Sequence, residues 1–369
     1  MLTATWSISS GWSAPSIVPY GPLAIQPAAS CLQYATECFE GLKCYRGHDG
    51  RLRLFRPQVN AARFLKSATR IALPSFPPDE FLKLLVKFVA HEAPKWLPNN
   101  PDWRGRFLYL RPTMIGTSIK IGLQRPDEAM MFIVAVFVPA DVNGPGNSAS
   151  NPNSSPAPTA GPSTPPEVPS ATSPPTRMKL LASKQDMIRA WPGGFGSSKV
   201  GANYGPTIVA QSEARRRGYD QVLWLFGPED YVTEAGLANF FMLWTTKDGI
   251  KELVTPPLEL GVILEGVTRR SVLEVCRSGK VGDVVVSERK AKMDEIVSAY
   301  EEGRMLEAFA VGTAVFVASV SEIDFRGKKL ILPLDRGDSG GFATAVKGYL
   351  EGIMFGRFGH KWAHLVEEV

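Results

Sequence analysis

The spacing of apolar residues along this chain changes several times, and each change marks an element. Leu52-Arg53-Leu54-Phe55 alternates apolar with polar, which predicts a strand. Over 57–69, Val59, Ala62, Leu65 and Ala68 recur every three positions. That spacing predicts a helix, with Pro57 tolerated in its first turn and Arg63 beside the apolar stripe. A second amphipathic helix is predicted over 78–93, and strands over 107–110 and 129–138, the latter read as buried. Farther along, helices are predicted over 206–217, 267–277 and 293–302, and strands over 221–226, 240–244 and 284–286. A β-rich stretch over 307–320 breaks at Gly312. No internal repeat is visible, and the order of elements indicates an α/β chain of the α+β type.

The periodicity stops between 139 and 176, a Pro/Ser/Asn/Thr/Ala/Gly tract whose only charged residues are Asp141 and Glu167. Such a composition buries too little surface to offset its ordering entropy, so a mobile linker is expected. The expected organisation is a small α+β domain over 1–138, the linker over 139–176, and a larger, β-rich α/β domain over 177–369.

Composition narrows the function classes. A net charge of +5 over 369 residues gives no nucleic-acid footprint, and Arg215-Arg216-Arg217 reads as the solvated end of a helix. Cys31, Cys38, Cys44 and Cys276 form no C-x-x-C pair, and His360 and His364 lack a third ligand nearby, so no metal is expected. The apolar run over 129–138 is too short to span a bilayer, and residues 1–15 carry neither a secretory nor an organellar pattern. A cytoplasmic protein with reduced thiols is expected, with neither membrane nor nucleic acid as partner.

Candidate chemistry begins at Lys199, set in Gly193-Gly194-Phe195-Gly196-Ser197-Ser198-Lys199-Val200-Gly201. Glycines open the backbone around its amine, so a flat carbonyl compound can approach, and an amine that sheds its proton is a nucleophile. Glu234, expected in a turn between two strands, offers a carboxylate able to keep a pyridine nitrogen protonated. Gly266-Val267-Thr268 opens a helix, where backbone N–H groups suit a phosphate. Gly312-Thr313-Ala314, a break between β segments, can turn further amides toward a carboxylate. Each feature also has a plain reading: a surface lysine, a turn carboxylate, an ordinary N-cap, a β-bulge.

Taken jointly, the chain resembles the branched-chain-amino-acid aminotransferases, which are class IV (fold type IV) pyridoxal-phosphate enzymes. The resemblance rests on Phe39-Glu40-Gly41-Leu42-Lys43, Phe55-Arg56-Pro57 with Asn60 and Arg63, Leu110-Arg111-Pro112-Thr113, Arg189-Ala190-Trp191-Pro192-Gly193-Gly194, the run from Lys199 to Gly205, Gln221-Val222-Leu223-Trp224, Thr233-Glu234, Gly266-Val267-Thr268-Arg269-Arg270 and Gly312-Thr313-Ala314. These stretches run in family order over nearly the whole chain.

The resemblance implies a two-domain fold, pyridoxal 5'-phosphate as cofactor, and transamination between aliphatic L-amino acids and 2-oxoglutarate in two half-reactions. It implies that Lys199 holds the cofactor covalently and then moves the proton, Tyr204 bonds its phenolic oxygen, and Glu234 its ring nitrogen. Arg63, the Val267 and Thr268 amides and Thr313 would hold the phosphate, with Arg189 a further candidate there. Tyr109 with Thr313 and Ala314 would take the α-carboxylate, while Tyr34, Phe39 and Arg111 would line the side-chain pocket. A homodimer follows from the same family, and small amino and 2-oxo acids are the implied partners.

The chain departs from the family at three places. The tract over 139–176 replaces a short loop that folds over substrate, Leu237 stands where relatives often carry a small polar residue, and Val315 and Ala318 replace a redox C-x-x-C pair. The altered loop raises the alternative of a specialised copy serving a natural-product pathway. Competing readings are a D-amino-acid transaminase or an aminodeoxychorismate-type lyase on the same fold. A catalytically silent binding protein that docks partners through the Pro-rich tract is a third.

Overall fold

The computed structural model describes residues 1–100, 105–138, 177–334 and 341–369. The expected linker and the loop replacement read into it lie outside these residues. The described residues build two sheets. The first is antiparallel and runs in the order Ala363–Val366, Leu52–Phe55, Leu42–Arg46, Phe107–Gly116, Glu128–Val138, Leu2–Ser7, Gly11–Trp12. Near the end of the chain, the strand Ala363–Val366 returns to pair with Leu52–Phe55 of the first sheet.

In the second sheet, Tyr231–Ala235, Gln221–Phe226, Arg177–Ala182, Phe316–Phe325, Met305–Gly312 and Ala238–Thr245 follow one another, and the first pairs again with the last. The ring therefore closes as a barrel, which removes its exposed edges. Met178, Leu223, Phe240, Met242, Ala310 and Val320 pack together in one of its cores. A further core joins the two halves: Tyr45, Phe55 and Phe107 of the first sheet pack with Phe241, Phe309, Val346 and Leu350.

Helix Pro57–Arg70 forms as expected, but its inward face is offset from the expected stripe. Asn60, Ala61, Arg63, Phe64, Ser67 and Ala68 are buried, whereas Ala62 is exposed and Leu65 half-buried. The inward face is partly polar because those polar groups are all bonded to the site described below, so apolar spacing alone could not locate it. Helix Pro78–Trp96 runs three residues beyond its expected end, and Ile208–Arg216 begins after a 3-10 turn at Gly205–Thr207. Val267–Arg277 matches its expected bounds. The strand Glu128–Val138 alternates in burial rather than lying fully inside, with Val136 exposed, because one of its faces looks outward.

The Phe241 and Phe309 rings stack at 5.2 Å with an interplanar angle of 4°, and neither is accessible to solvent. Truncating Phe309 to alanine leaves a cavity where both halves meet. We expect Phe309→Ala to lower unfolding free energy by about 3–5 kcal/mol, read as a reduced denaturant midpoint at unchanged slope.

Candidate active site

The site is organised by Glu40, a carboxylate with no solvent exposure that follows strand Glu37–Phe39. Arg63 donates from Nε to its Oε1 at 2.7 Å and from Nη2 to its Oε2 at 2.8 Å, a two-pronged pair. Asn60 Nδ2 donates to Oε2 at 2.8 Å, and the Gly41 amide donates to the same oxygen at 3.2 Å. The remaining arm of Arg63, Nη1, donates to the Glu265 carbonyl at 3.0 Å, just ahead of the Gly266-Val267-Thr268 turn. Thus the guanidinium is fixed between the first half's helix and the second half's phosphate-type loop.

Four residues along the same helix, the Ser67 Oγ accepts the Lys199 amide N–H at 2.8 Å, and the Phe39 N–H donates to the Lys199 carbonyl at 3.0 Å. Lys199 is therefore held by its backbone while its amine stays free to work. Its Nζ lies 3.3 Å from the Tyr204 hydroxyl and 4.8 Å from the centre of the Phe39 ring. Desolvation, reinforced by the positive charges of Arg63 and Arg111, lowers the Lys199 pKa to about 7, although Glu40 and Glu234 pull the other way. Lys199 as a whole residue is half-buried, and its amine is desolvated by the protein packed around it. Burial pushes the Tyr204 hydroxyl up to about 12, which keeps it a neutral donor near pH 7.

Glu234 stands inside strand Tyr231–Ala235, not in the expected turn, because the tight reversal falls two residues later at Gly236-Leu237. Strand pairing sets it directly opposite Asn239, whose Nδ2 donates to Glu234 Oε1 at 3.0 Å and to the Leu264 carbonyl at 2.9 Å. The Leu264 N–H adds a bond to Oε1 at 3.2 Å. Oε2 lies 2.6 Å from Arg189 Nη1 in an ion pair, but no hydrogen bond of acceptable geometry reaches it among the described residues. Arg189 thus stands at the carboxylate end and not with the phosphate-type loop. Burial raises the Glu234 pKa despite Arg189, so this carboxylate is more basic than an ordinary one.

Val267 and Thr268 are buried at the first turn of helix Val267–Arg277, whose N-terminus has no side-chain cap. A Cβ on Gly266 would fall onto the Asn239 side-chain oxygen, so only glycine brings this turn so close to the Glu234 support. Val267, Thr268 and Thr313 line one cavity together with Asn60. Ala314 is exposed in the turn between Met305–Gly312 and Phe316–Phe325.

On the other side of Lys199, Arg111 lies 4.7 Å from the Phe39 ring centre and donates from Nη2 to the Tyr109 hydroxyl at 3.1 Å. Phe39 also packs against Tyr204 at 5.3 Å. Tyr34 ends the short helix Ser30–Tyr34, and among the described residues no hydrogen bond or ring contact joins it to Phe39, Tyr109, Arg111 or Lys199. The structure therefore gathers Lys199, Tyr204, Phe39, Tyr109 and Arg111 at one place and Arg63, Val267, Thr268 and Thr313 beside it. Glu40, Ser67 and Asn239 were not singled out as site residues from the sequence. Glu40 and Asn60 lie inside the family-like stretches, but nothing in the spacing marks Ser67 or Asn239.

The family profile for amino-transferase class IV matches residues 37–323. A mitochondrial branched-chain-amino-acid aminotransferase of Schizosaccharomyces pombe is 41% identical over 97% of this chain and 76% of its own length. A cytosolic branched-chain-amino-acid aminotransferase of Mus musculus is 39% identical, covering 98% of this chain and 84% of its own. The chain belongs to the class IV aminotransferase family. Its fold is that of the branched-chain aminotransferase from the archaeon Thermoproteus uzoniensis, solved with norvaline: TM-score 0.67 at 22% identity, covering 99% of this chain and 100% of that one.

Class IV aminotransferases depend on pyridoxal 5'-phosphate. The residues present fit that group: a desolvated amine, a buried carboxylate oxygen lacking a hydrogen bond, and an uncapped helix N-terminus beside a fixed arginine. Because only the neutral amine attacks an aldehyde, capture of pyridoxal phosphate by apoprotein should accelerate as pH rises to about 7 and level off above it. An ordinary lysine would keep accelerating toward its own pKa near 10.5. Stopped-flow absorbance of cofactor uptake against pH reads the difference.

Proposed function

We propose that this class IV aminotransferase moves an amino group between branched-chain or related aliphatic L-amino acids and 2-oxoglutarate, using pyridoxal 5'-phosphate. The observation that carries the reading is the pairing of a desolvated Lys199 with a buried Glu234, in a chain about 40% identical to named branched-chain enzymes. When bound, the cofactor supplies an electron sink that acidifies the substrate's α-hydrogen.

The protein's own residues then divide the work. Glu234, a carboxylate made more basic by burial and held by Asn239 and the Leu264 amide, would partner the ring nitrogen of the cofactor. Arg63, the Val267 and Thr268 amides and Thr313 bind the phosphate. Tyr204, neutral near pH 7, donates to the phenolic oxygen. Lys199 would hold the cofactor through its amine, and the lowered pKa of that amine would let it accept and return a proton near neutrality.

Tyr109 and the Thr313 and Ala314 amides bind the α-carboxylate. Phe39 offers an aliphatic side chain an apolar wall, while Arg111 behind it meets the distal carboxylate of glutamate. One pocket then serves both half-reactions, and kinetics are ping-pong.

Purified protein should form glutamate from L-leucine and 2-oxoglutarate, and Lys199→Ala should lose about 10²–10⁴-fold or more in kcat. Glutamate formation absent with L-leucine but present with D-alanine would move the assignment to the D-specific branch. Arg111→Gln should cost about 10–100-fold in kcat/KM for 2-oxoglutarate, with a smaller loss for L-leucine, since only the former offers a distal carboxylate.

The two sheets are read as the cores of two domains, and the working unit as a homodimer. Ile119, Ile121 and Leu123, in the connection between Phe107–Gly116 and Glu128–Val138, are 60%, 80% and 89% exposed. Three bulky apolar side chains left outward so close together are what a protein interface covers. Sedimentation should show a dimer that Ile121→Asp with Leu123→Asp converts to monomer. The cytoplasm is the proposed compartment, and cell fractionation is its check; relatives are named for both cytosol and mitochondrion, and no helix among the described residues is long and apolar enough to cross a membrane.

A further inference from the structure

Successive strand residues alternate sides, so Glu37 and Phe39 of strand Glu37–Phe39 face the same way, while Cys38 between them is fully buried on the other. Phe39 packs on Lys199, Tyr204 and Arg111. Pairing with Phe107–Gly116 sets Glu37 opposite Ile115 and Phe39 opposite Thr113, which share a sheet face with Arg111 and Tyr109. A lone bridge pairs Cys38 with Val200, so the segment after Lys199 runs along the other edge of the strand. The Glu37 carboxylate rests against that segment: a Cβ on Gly201 would fall onto its Oε2, and only glycine admits the oxygen there.

Burial raises the Glu37 pKa above that of an ordinary glutamate, and the Gly201 amide and the charges of Arg111 and Lys199 pull the other way. Glu37 acts on the Arg111 guanidinium through its charge and not through a hydrogen bond. Arg111 itself donates to the Tyr109 hydroxyl, and its Nε is buried without a partner among the described residues.

A pocket that accepts both an aliphatic and a carboxylate-bearing side chain faces an electrostatic conflict. With the aliphatic chain in place, the guanidinium is desolvated and meets no ligand anion, which is unfavourable without a counter-charge. A fixed carboxylate nearby offsets that cost. The same carboxylate repels the distal carboxylate of a dicarboxylic substrate approaching Arg111.

We propose that Glu37 is a specificity-determining residue: as the resident counter-charge of Arg111, it favours neutral aliphatic side chains in the pocket and weakens dicarboxylates there. The inference rests on the reading of Arg111 as the group that meets the distal carboxylate. Glu37 touches no reacting atom and works by charge alone, on Arg111 and on the incoming side chain.

Glu37→Gln removes the charge and keeps an oxygen for the Gly201 amide, so the loop carrying Lys199 stays supported. The holoenzyme variants are compared on two 2-oxo acids in the same half-reaction, 2-oxoglutarate and 4-methyl-2-oxopentanoate, and by calorimetric binding of unreactive glutarate. The ratio of kcat/KM for 2-oxoglutarate to that for 4-methyl-2-oxopentanoate should rise about five- to thirtyfold in Glu37→Gln, chiefly through KM. Glutarate should bind tighter by a similar factor. Glu37→Asp, which keeps the charge, should hold the ratio within about twofold of the unaltered enzyme. Equal losses on both oxo acids with glutarate binding unchanged overturn the proposal, because Glu37 then only props the loop. If Arg111→Gln leaves 2-oxoglutarate unaffected, the reading of the pocket fails and the role of Glu37 falls with it. If Arg111→Gln costs what is expected and Glu37→Gln leaves the ratio unchanged, the role of Glu37 alone is refuted.

Discussion

The buried pair between Glu40 and Arg63 is the constraint on which the rest of the site depends. A carboxylate with no solvent contact persists only if its oxygens are filled, and here Arg63, Asn60 and the Gly41 amide fill them. Arg63 spends its last arm on the Glu265 carbonyl, so one guanidinium fastens helix Pro57–Arg70 to the loop before helix Val267–Arg277. Removing one partner of such a pair strands the other charge, typically at about 3–5 kcal/mol. The two halves of the chain are registered to each other at the place where the chemistry needs them close.

The same helix fixes Lys199 through Ser67, and the crowding that follows gives the amine its altered basicity. Charges around it are arranged rather than neutralised. Arg63 and Arg111 lower the amine's pKa, while Glu40 and Glu234 raise it, and burial outweighs all four. Across the barrel hairpin, Asn239 and the Leu264 amide hold one oxygen of Glu234 and leave the other to Arg189. A cofactor held between this desolvated amine and this basic carboxylate would be polarised by the protein before substrate arrives.

Much of the fold was legible because its helices are amphipathic and its strands rich in β-formers. The helix over 267–277 was found to its end residues, since the small Gly266 ahead of it and the apolar spacing within it agree. The inner face of Pro57–Arg70 was misplaced because Asn60, Arg63 and Ser67 are polar residues turned inward, which a hydrophobic pattern reads as outward. The turn expected at Glu234 falls two residues later, because a two-residue reversal at Gly236-Leu237 leaves no polar stretch to mark it. The closure of the barrel and the return of Ala363–Val366 to the first sheet are long-range pairings with no local signature.

By itself the sequence determined the residue types that the chemistry requires: a lysine among glycines, a carboxylate between strands, and small residues at two turns. Joint order, not any single spacing, tied them to one family. Only the tertiary structure decided which groups support them, since Glu40, Ser67 and Asn239 act through contacts spanning 23, 132 and 5 residues. It also decided that Arg189 faces Glu234 and that Lys43 is buried without a carboxylate partner among the described residues. Charge state, desolvation and pairing depend on what surrounds a group in space, and a linear chain specifies that only after its distant segments have met.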